Sequence, residues 1–153
     1  MAKNYSPGDS DFAWTRLTKL RTQLATMLDQ PPYDKVLSAE IIGSSDSPSV
    51  ELLAAWLELK LRIKVKIART TPAKSINKIK SIRLIRKSGD VVISREIEGK
   101  AVLSQPLQPS REISLPVRSL RDCLSEDLRR LDPDDLFGEV ITKSFGVKTR
   151  AKS

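Results

Sequence analysis

The spacing of apolar residues changes from that of a helix to that of a strand near residue 62, and changes back near residue 119. Before the first change, apolar side chains recur every three or four residues, which predicts helices near 11–29 and 48–61. After it, Ile63, Val65 and Ile67 alternate with basic residues. Alternation of this kind is typical of a strand with one core face and one basic face. The chain must therefore combine helices with a sheet.

Short segments separated by turns predict that most of this sheet is antiparallel. Strands are predicted near 79–86, 91–97, 101–105 and 111–115, after two earlier ones at 36–42 and 62–69. A turn at 87–90 contains Gly89 and joins two of these strands as a hairpin. Pro106, Pro109 and Pro116 mark the edges of the meander.

The C-terminal part of the chain returns to helical spacing. Ser119 and Asp122 resemble a capping box at the start of a helix. The predicted buried stripe of this helix consists of Leu120, Leu124, Leu128 and Leu131. Asp132 is the expected cap of a last short helix, because Pro133 suits a first helical turn.

The order of these elements predicts an α+β fold, with a mainly antiparallel sheet of about four to six strands and three to four helices packed against it. Residues 11–145 would form the domain, between a flexible N-terminal segment at 1–10 and a flexible basic tail at 146–153. No apolar run is long enough to span a membrane, and because the first residues are polar we expect no secretory signal. With a single cysteine, we expect a cytoplasmic protein.

The sequence carries little that could support catalysis. It has no histidine, which removes the commonest general base and metal ligand, and neither glycine-rich phosphate motif is present. One cysteine cannot build a thiolate metal site, and Cys123 is expected to pack inertly on its helix. We therefore predict that the chain is not an enzyme and holds no metal or cofactor.

Basic residues are concentrated between residues 60 and 100, a segment that contains thirteen Lys and Arg residues but only three acidic ones. The predicted basic face consists of Arg62, Lys64, Lys66, Lys80, Arg83 and Arg86. A solvated sheet face is the simpler interpretation, and a nucleic-acid-binding module is the alternative. The region has no aromatic residues to stack on bases, which argues against the alternative.

Outside this region, an indole and several guanidinium groups are the candidates for binding a partner. They are Trp14, Arg16, Arg21, Arg118, Arg129 and Arg130. Trp14 and Arg21 lie two helical turns apart, a spacing that allows a cation–π contact. The pair fits an interaction hot spot and the border of a core equally well.

The arginine candidates also have other interpretations. Arg16, Arg21 or Arg118 could bind an anion or a sugar phosphate, although nothing further in the sequence supports such binding. Arg129 and Arg130 could bind an anion as well, but Glu126 is well placed for pairing with Arg130 within the helix.

Four strings of residues together resemble the glucose-6-phosphate dehydrogenase assembly (OpcA) family of bacteria. They are "GDSDFAWTRLTKLR" followed by "DQPPY", then "LLAAWL", "LIRKSGDVVISREIEGKAVLS" and "RDCLSEDLRRLDPDDLFGEVI". The strings occur in the family's order and with similar spacing from residue 8 to residue 141. One difference is Ala55, which stands where the family usually has glycine, and a helix tolerates this change.

The resemblance implies the C-terminal half of a non-catalytic factor that binds glucose-6-phosphate dehydrogenase and promotes its active oligomer. Such a factor would support NADPH supply by the oxidative pentose phosphate pathway. Family members usually carry another domain before this region, so the resemblance implies either a fragment or a natural short form.

Overall fold

The computed structural model describes residues 4–6, 11–71, 78–95, 97–129 and 134–149. The elements in chain order are β1 (Asn4–Tyr5), α1 (Phe12–Thr15), α2 (Thr18–Leu28), β2 (Ser38–Ser44), α3 (Pro48–Leu61), β3 (Lys64–Thr70), β4 (Ile79–Ile85), β5 (Val91–Ser94), β6 (Lys100–Gln105), β7 (Gln108–Ser114), α4 (Leu120–Arg129), α5 (Asp135–Phe145) and β8 (Lys148–Thr149).

Six strands form the main sheet in the order β3-β2-β4-β5-β6-β7. Strands β2 and β3 pair in parallel, because α3 crosses over between them, and every other neighbouring pair is antiparallel. The predicted α+β fold is therefore confirmed, although the described residues form five helices rather than three or four. Strands β1 and β8 pair in parallel with each other, and the predicted flexibility of the chain ends stays a prediction.

The first predicted helix is interrupted at Arg16 and Leu17, which separates α1 from α2. The amide of Leu17 donates to the carbonyl of Trp14 at 2.9 Å, a tighter turn than an α-helix makes. The carbonyl of Thr15 accepts from Thr18 Oγ1 at 2.9 Å and from Arg118 Nη1 at 3.0 Å. These side-chain bonds compete with the helical backbone ladder at the break.

One face of the sheet is covered by helices and carries the hydrophobic core. Along β2, Ala39 and Ile41 are buried while Glu40 and Ile42 on the opposite face are not. Helix α3 approaches β2 closely, since a Cβ atom on Gly43 would lie 2.5 Å from Val50 Cγ2. This glycine therefore sets the distance at which the helix packs on the sheet.

The last helix, α5, begins later than the sequence predicted. Its N-cap is Asp134, whose Oδ1 accepts the amide of Phe137 at 3.0 Å. The predicted cap, Asp132, lies outside the described residues. The Asp134 carboxylate at the N-cap also interacts favourably with the positive end of the helix dipole.

Candidate functional site

Helix α4 turns its leucines outward, which corrects the prediction that they form a buried stripe. Leu120, Leu124 and Leu128 are 56%, 46% and 74% exposed, whereas Cys123 in the same helix is fully buried. Leu131 lies outside the described residues. Leucines four residues apart line one side of a helix. They form the leucine face of α4, an apolar surface that the described residues leave uncovered.

Polar contacts hold the other side of α4 against the helical layer. Thr15 Oγ1 donates to Asp127 Oδ1 at 3.0 Å, and Thr18 Oγ1 donates to Glu126 Oε1 at 3.4 Å. Glu126 also forms an ion pair with Arg118. Hydrogen bonds of this kind require specific geometry, so they fix the orientation of α4 and keep its leucines outside.

The N-terminus of α4 is closed by the capping box that the sequence predicted. Ser119 Oγ and the Ser119 amide both donate to Asp122 Oδ2, at 2.8 and 3.1 Å, and the Asp122 amide donates to Ser119 Oγ at 3.1 Å. These bonds hold the pKa of the Asp122 carboxyl below its usual range. The box therefore stabilises the first turn through an ionised carboxylate.

Trp14 lies in the core with 1% of its surface exposed. Its Nε1–H donates to Asp134 Oδ2 at 2.9 Å, its ring centroid is 5.6 Å from that of Phe137, and Arg21 Cζ lies 3.7 Å from the ring centroid. The predicted cation–π contact is confirmed. Direct contact with a partner does not fit this burial, so the structure favours the core interpretation of Trp14.

Arg16 and Arg118 come together at one cleft, while Arg21 does not, because it covers the indole of Trp14. Arg16 is exposed, and Arg118 is largely covered by its contacts with Thr15 and Glu126. Arg129 is exposed at the end of α4, and Arg130 lies outside the described residues. The predicted pairing of Arg130 with Glu126 therefore stays a prediction.

The predicted basic face follows only in part the side of the sheet that the described helices leave uncovered. Lys64 and Lys66 on β3, together with Lys80 and Arg83 on β4, are exposed, and Arg62 is exposed at the C-terminal cap of α3. The register places Lys66 and Arg83 on either side of an acidic residue of β2. That residue is Glu40, whose Oε1 lies 3.8 Å from Lys66 Nζ.

Arg86 does not belong to the basic face, which corrects the prediction. It is 5% exposed, and its guanidinium donates to the carbonyl of Pro32 at 2.9 Å and to that of Gly89 at 3.4 Å. Both acceptors lie in loops, so Arg86 ties the hairpin turn to the segment after α2. A buried arginine needs such acceptors because its charge has left water.

Sequence reasoning missed two residues that line the cleft with Arg16 and Arg118, namely Lys78 and Arg95. It also missed Asp134 as the partner of Trp14. The order of helices and strands carries no signal for these contacts, because they join segments far apart in the chain.

Among the described residues, no group of three or more acidic, cysteine or histidine side chains could hold a metal ion. Within the described ranges, no helix is long and apolar enough to cross a membrane.

Comparison with known proteins agrees with the resemblance of the four strings. A family model, described as the C-terminal domain of a glucose-6-phosphate dehydrogenase subunit, matches residues 7–141. No curated protein matches the chain. The matched segment contains the six-stranded sheet, both segments of the first helix and α4, and so covers most of the molecule. The chain therefore belongs to this family of C-terminal domains associated with glucose-6-phosphate dehydrogenase, which form the C-terminal region of OpcA proteins.

Proposed function

We propose that the chain is a non-catalytic assembly factor that binds glucose-6-phosphate dehydrogenase and promotes its active oligomer. The observation that carries this proposal is the family match over residues 7–141, whose description names a subunit of that enzyme. The protein would act in the cytoplasm and support NADPH supply by the oxidative pentose phosphate pathway. A factor that binds the assembled enzyme more tightly than its free protomers shifts the equilibrium by that difference in affinity.

The leucine face of α4 is the surface that we propose for this contact. Leu120, Leu124 and Leu128 are about half to three-quarters exposed although they share one helix face. Covering one such side chain stabilises a complex by roughly 1–2 kcal/mol, since complete burial of a leucine is worth about 1.5–3 kcal/mol. Exposed Arg121 and Arg129 flank this face, and arginine is enriched in protein interfaces.

The test is size-exclusion chromatography and activity measurement of the cognate dehydrogenase, with and without the chain. The wild-type chain should co-elute with the enzyme and move it towards the larger, active species. Combined Leu124→Gln and Leu128→Gln substitutions keep good helix formers in α4 and should weaken binding by about 10- to 100-fold.

A matched control is Leu107→Gln, which removes an equally apolar side chain from the turn between β6 and β7, where Leu107 is 91% exposed. This variant should bind like the wild type. Loss of binding in the control but not in the α4 variant would contradict the assignment of the surface. No effect of the wild-type chain on the size or activity of the enzyme would refute the assembly function itself.

Nucleic-acid binding is a second candidate, because Lys64, Lys66 and Arg83 remain exposed on the uncovered side of the sheet. Glu40 and Asp90 offset part of this charge through pairs with Lys66 and Arg83, at 3.8 and 3.7 Å. Fluorescence anisotropy with a random labelled oligonucleotide would test it. Binding that weakens steeply as the salt concentration is raised would support nucleic-acid binding. Undetectable or salt-insensitive binding would rule out this candidate.

A further inference from the structure

A cleft of about 290 Å³ lies where the break between α1 and α2 meets the N-terminus of α3 and the segment before α4. Its lining includes Arg16, Lys78, Arg95 and Arg118, together with the carboxylate of Asp46. These residues come from parts of the chain far apart in sequence. Even with the carboxylate of Glu126, which pairs with Arg118, four guanidinium or ammonium groups outnumber the two carboxylates. This gives the cleft a net positive charge, which would attract an anion.

Two of the four cations form ion pairs with carboxylates. Asp46 Oδ2 accepts from Lys78 Nζ at 2.8 Å, which helps to hold the pKa of the Asp46 carboxyl below its usual range, and Arg118 pairs with Glu126. Arg16 forms no ion pair with any residue that the structure describes. Its guanidinium is exposed and can turn towards an incoming anion.

Arg95 adds a cation that is partly removed from water. It lies just after β5, where its amide donates to the carbonyl of Lys80 at 2.8 Å, and burial lowers the pKa of its guanidinium. An arginine stays protonated despite such a shift. Its charge therefore adds to the positive potential of the cleft.

The wall opposite these side chains is the first turn of α3, a helix of fourteen residues. Its N-cap, Ser47, is buried but forms no capping hydrogen bond through its side chain. Ser49 Oγ donates to the carbonyl of Ala13 at 3.1 Å, which fixes this turn against α1. Ser47, Pro48 and Ser49 line the cleft, so the positive end of the α3 dipole lies at the same cleft as the basic side chains.

We propose that this cleft binds a phosphate group, either as free orthophosphate or as the phosphomonoester of a small metabolite. Its volume of about 290 Å³ corresponds to roughly ten water molecules of about 30 Å³ each. Small-molecule pockets begin at about 300 Å³, so the cleft has room for a phosphate with a small organic group. Guanidinium groups favour phosphate because their paired N–H donors match two of its oxygens.

This site does not depend on the proposed assembly function, and it is tested on the isolated full chain. Isothermal titration calorimetry in a phosphate-free buffer of constant ionic strength would use orthophosphate, glucose 6-phosphate and chloride as separate probes. Both phosphate probes should bind saturably, and chloride should not. Tighter binding of glucose 6-phosphate than of orthophosphate would identify a phosphomonoester as the ligand class, and the reverse order would identify free phosphate.

Arg16→Gln and Lys78→Gln should each weaken phosphate binding by about tenfold, since a hydrogen bond to a charged group contributes about that factor or more. Arg83→Gln is the matched control, because it removes the same charge from the uncovered face of the sheet. Arg16 is exposed, so its variant should fold even if removal of Lys78 disturbs the pair with Asp46. The proposal is overturned if neither phosphate probe binds saturably, or if Arg83→Gln weakens binding as much as Arg16→Gln.

Discussion

Trp14 offers the sharpest test of how the helical layer is held together. The side chain is 1% exposed, donates to the carboxylate of Asp134 and contacts both the guanidinium of Arg21 and the ring of Phe137. Through these contacts, Trp14 connects α1 with α2 and with the start of α5. Changing Trp14 should therefore change stability before it changes recognition of any partner.

The size of the effect follows from the buried area and the hydrogen bond. A buried tryptophan removes about 150–250 Å² from water, so Trp14→Ala should destabilise the fold by about 3–5 kcal/mol. Such a loss could unfold a domain whose total stability is about 5–15 kcal/mol. Trp14→Phe is the better probe, because it keeps most of the apolar contact. It removes the bond to the Asp134 carboxylate, which should reduce the unfolding free energy by about 1.5–3 kcal/mol.

Urea unfolding followed by far-ultraviolet circular dichroism would measure this loss without relying on tryptophan fluorescence. The matched control is Trp56→Phe. Trp56 is only half-buried, and its indole N–H has no hydrogen bond to the residues that the structure describes. The control should therefore lose less stability, with an unchanged dependence on urea. The reasoning is refuted if Trp14→Phe stays within about 0.5 kcal/mol of wild type but loses affinity for the dehydrogenase.

Two further substitutions test the packing of α3 and the cap of α4. Gly43→Ala should destabilise the fold by about 1–3 kcal/mol in thermal or urea unfolding, because the added Cβ atom would lie 2.5 Å from Val50 Cγ2 and 3.0 Å from the carbonyl of Lys78. Unchanged stability would show that the helix can move away from the sheet. Ser119→Ala removes the hydroxyl donor that lowers the pKa of Asp122, so that pKa should rise in a titration followed by nuclear magnetic resonance. Because the lowered pKa stabilises the fold at higher pH and this contribution is lost on acidification, the variant should lose less stability than wild type as the pH falls through the range of this carboxyl.

The elements that could be predicted from sequence are those whose signals are local. Alternation of apolar and basic side chains predicted β3, and Pro48 at the first turn predicted the start of α3. The hairpin turn could be predicted from Gly89, whose φ of +119° is rarely adopted by other residues. Ser119 and Asp122 could be recognised as a capping box because they are three residues apart. In each case, the residues that decide the structure are close together in the chain.

The orientation of α4 could not be predicted in the same way. Periodicity shows that Leu120, Leu124 and Leu128 share one helix face, and it carries no information about whether that face meets the core or the solvent. The orientation depends on bonds from Thr15 and Thr18 to the other side of the helix. The same two residues lie at the break between α1 and α2. The interruption of the first helix and the outward leucines therefore have a common origin, which helical spacing alone cannot reveal.

The cleft shows that arginines that look alike in the sequence need not lie together in the fold. Arg16, Arg21 and Arg118 were equivalent anion-binding candidates in the sequence, since each is a guanidinium near a predicted helix. The structure separates them because Arg21 lies seven residues after Trp14 and is drawn onto the indole. Its place in the cleft is taken by Lys78 and Arg95, which lie next to the start of β4 and the end of β5. Whether an arginine packs on an aromatic ring or lines a cleft depends on tertiary contacts, so only the folded chain could decide it.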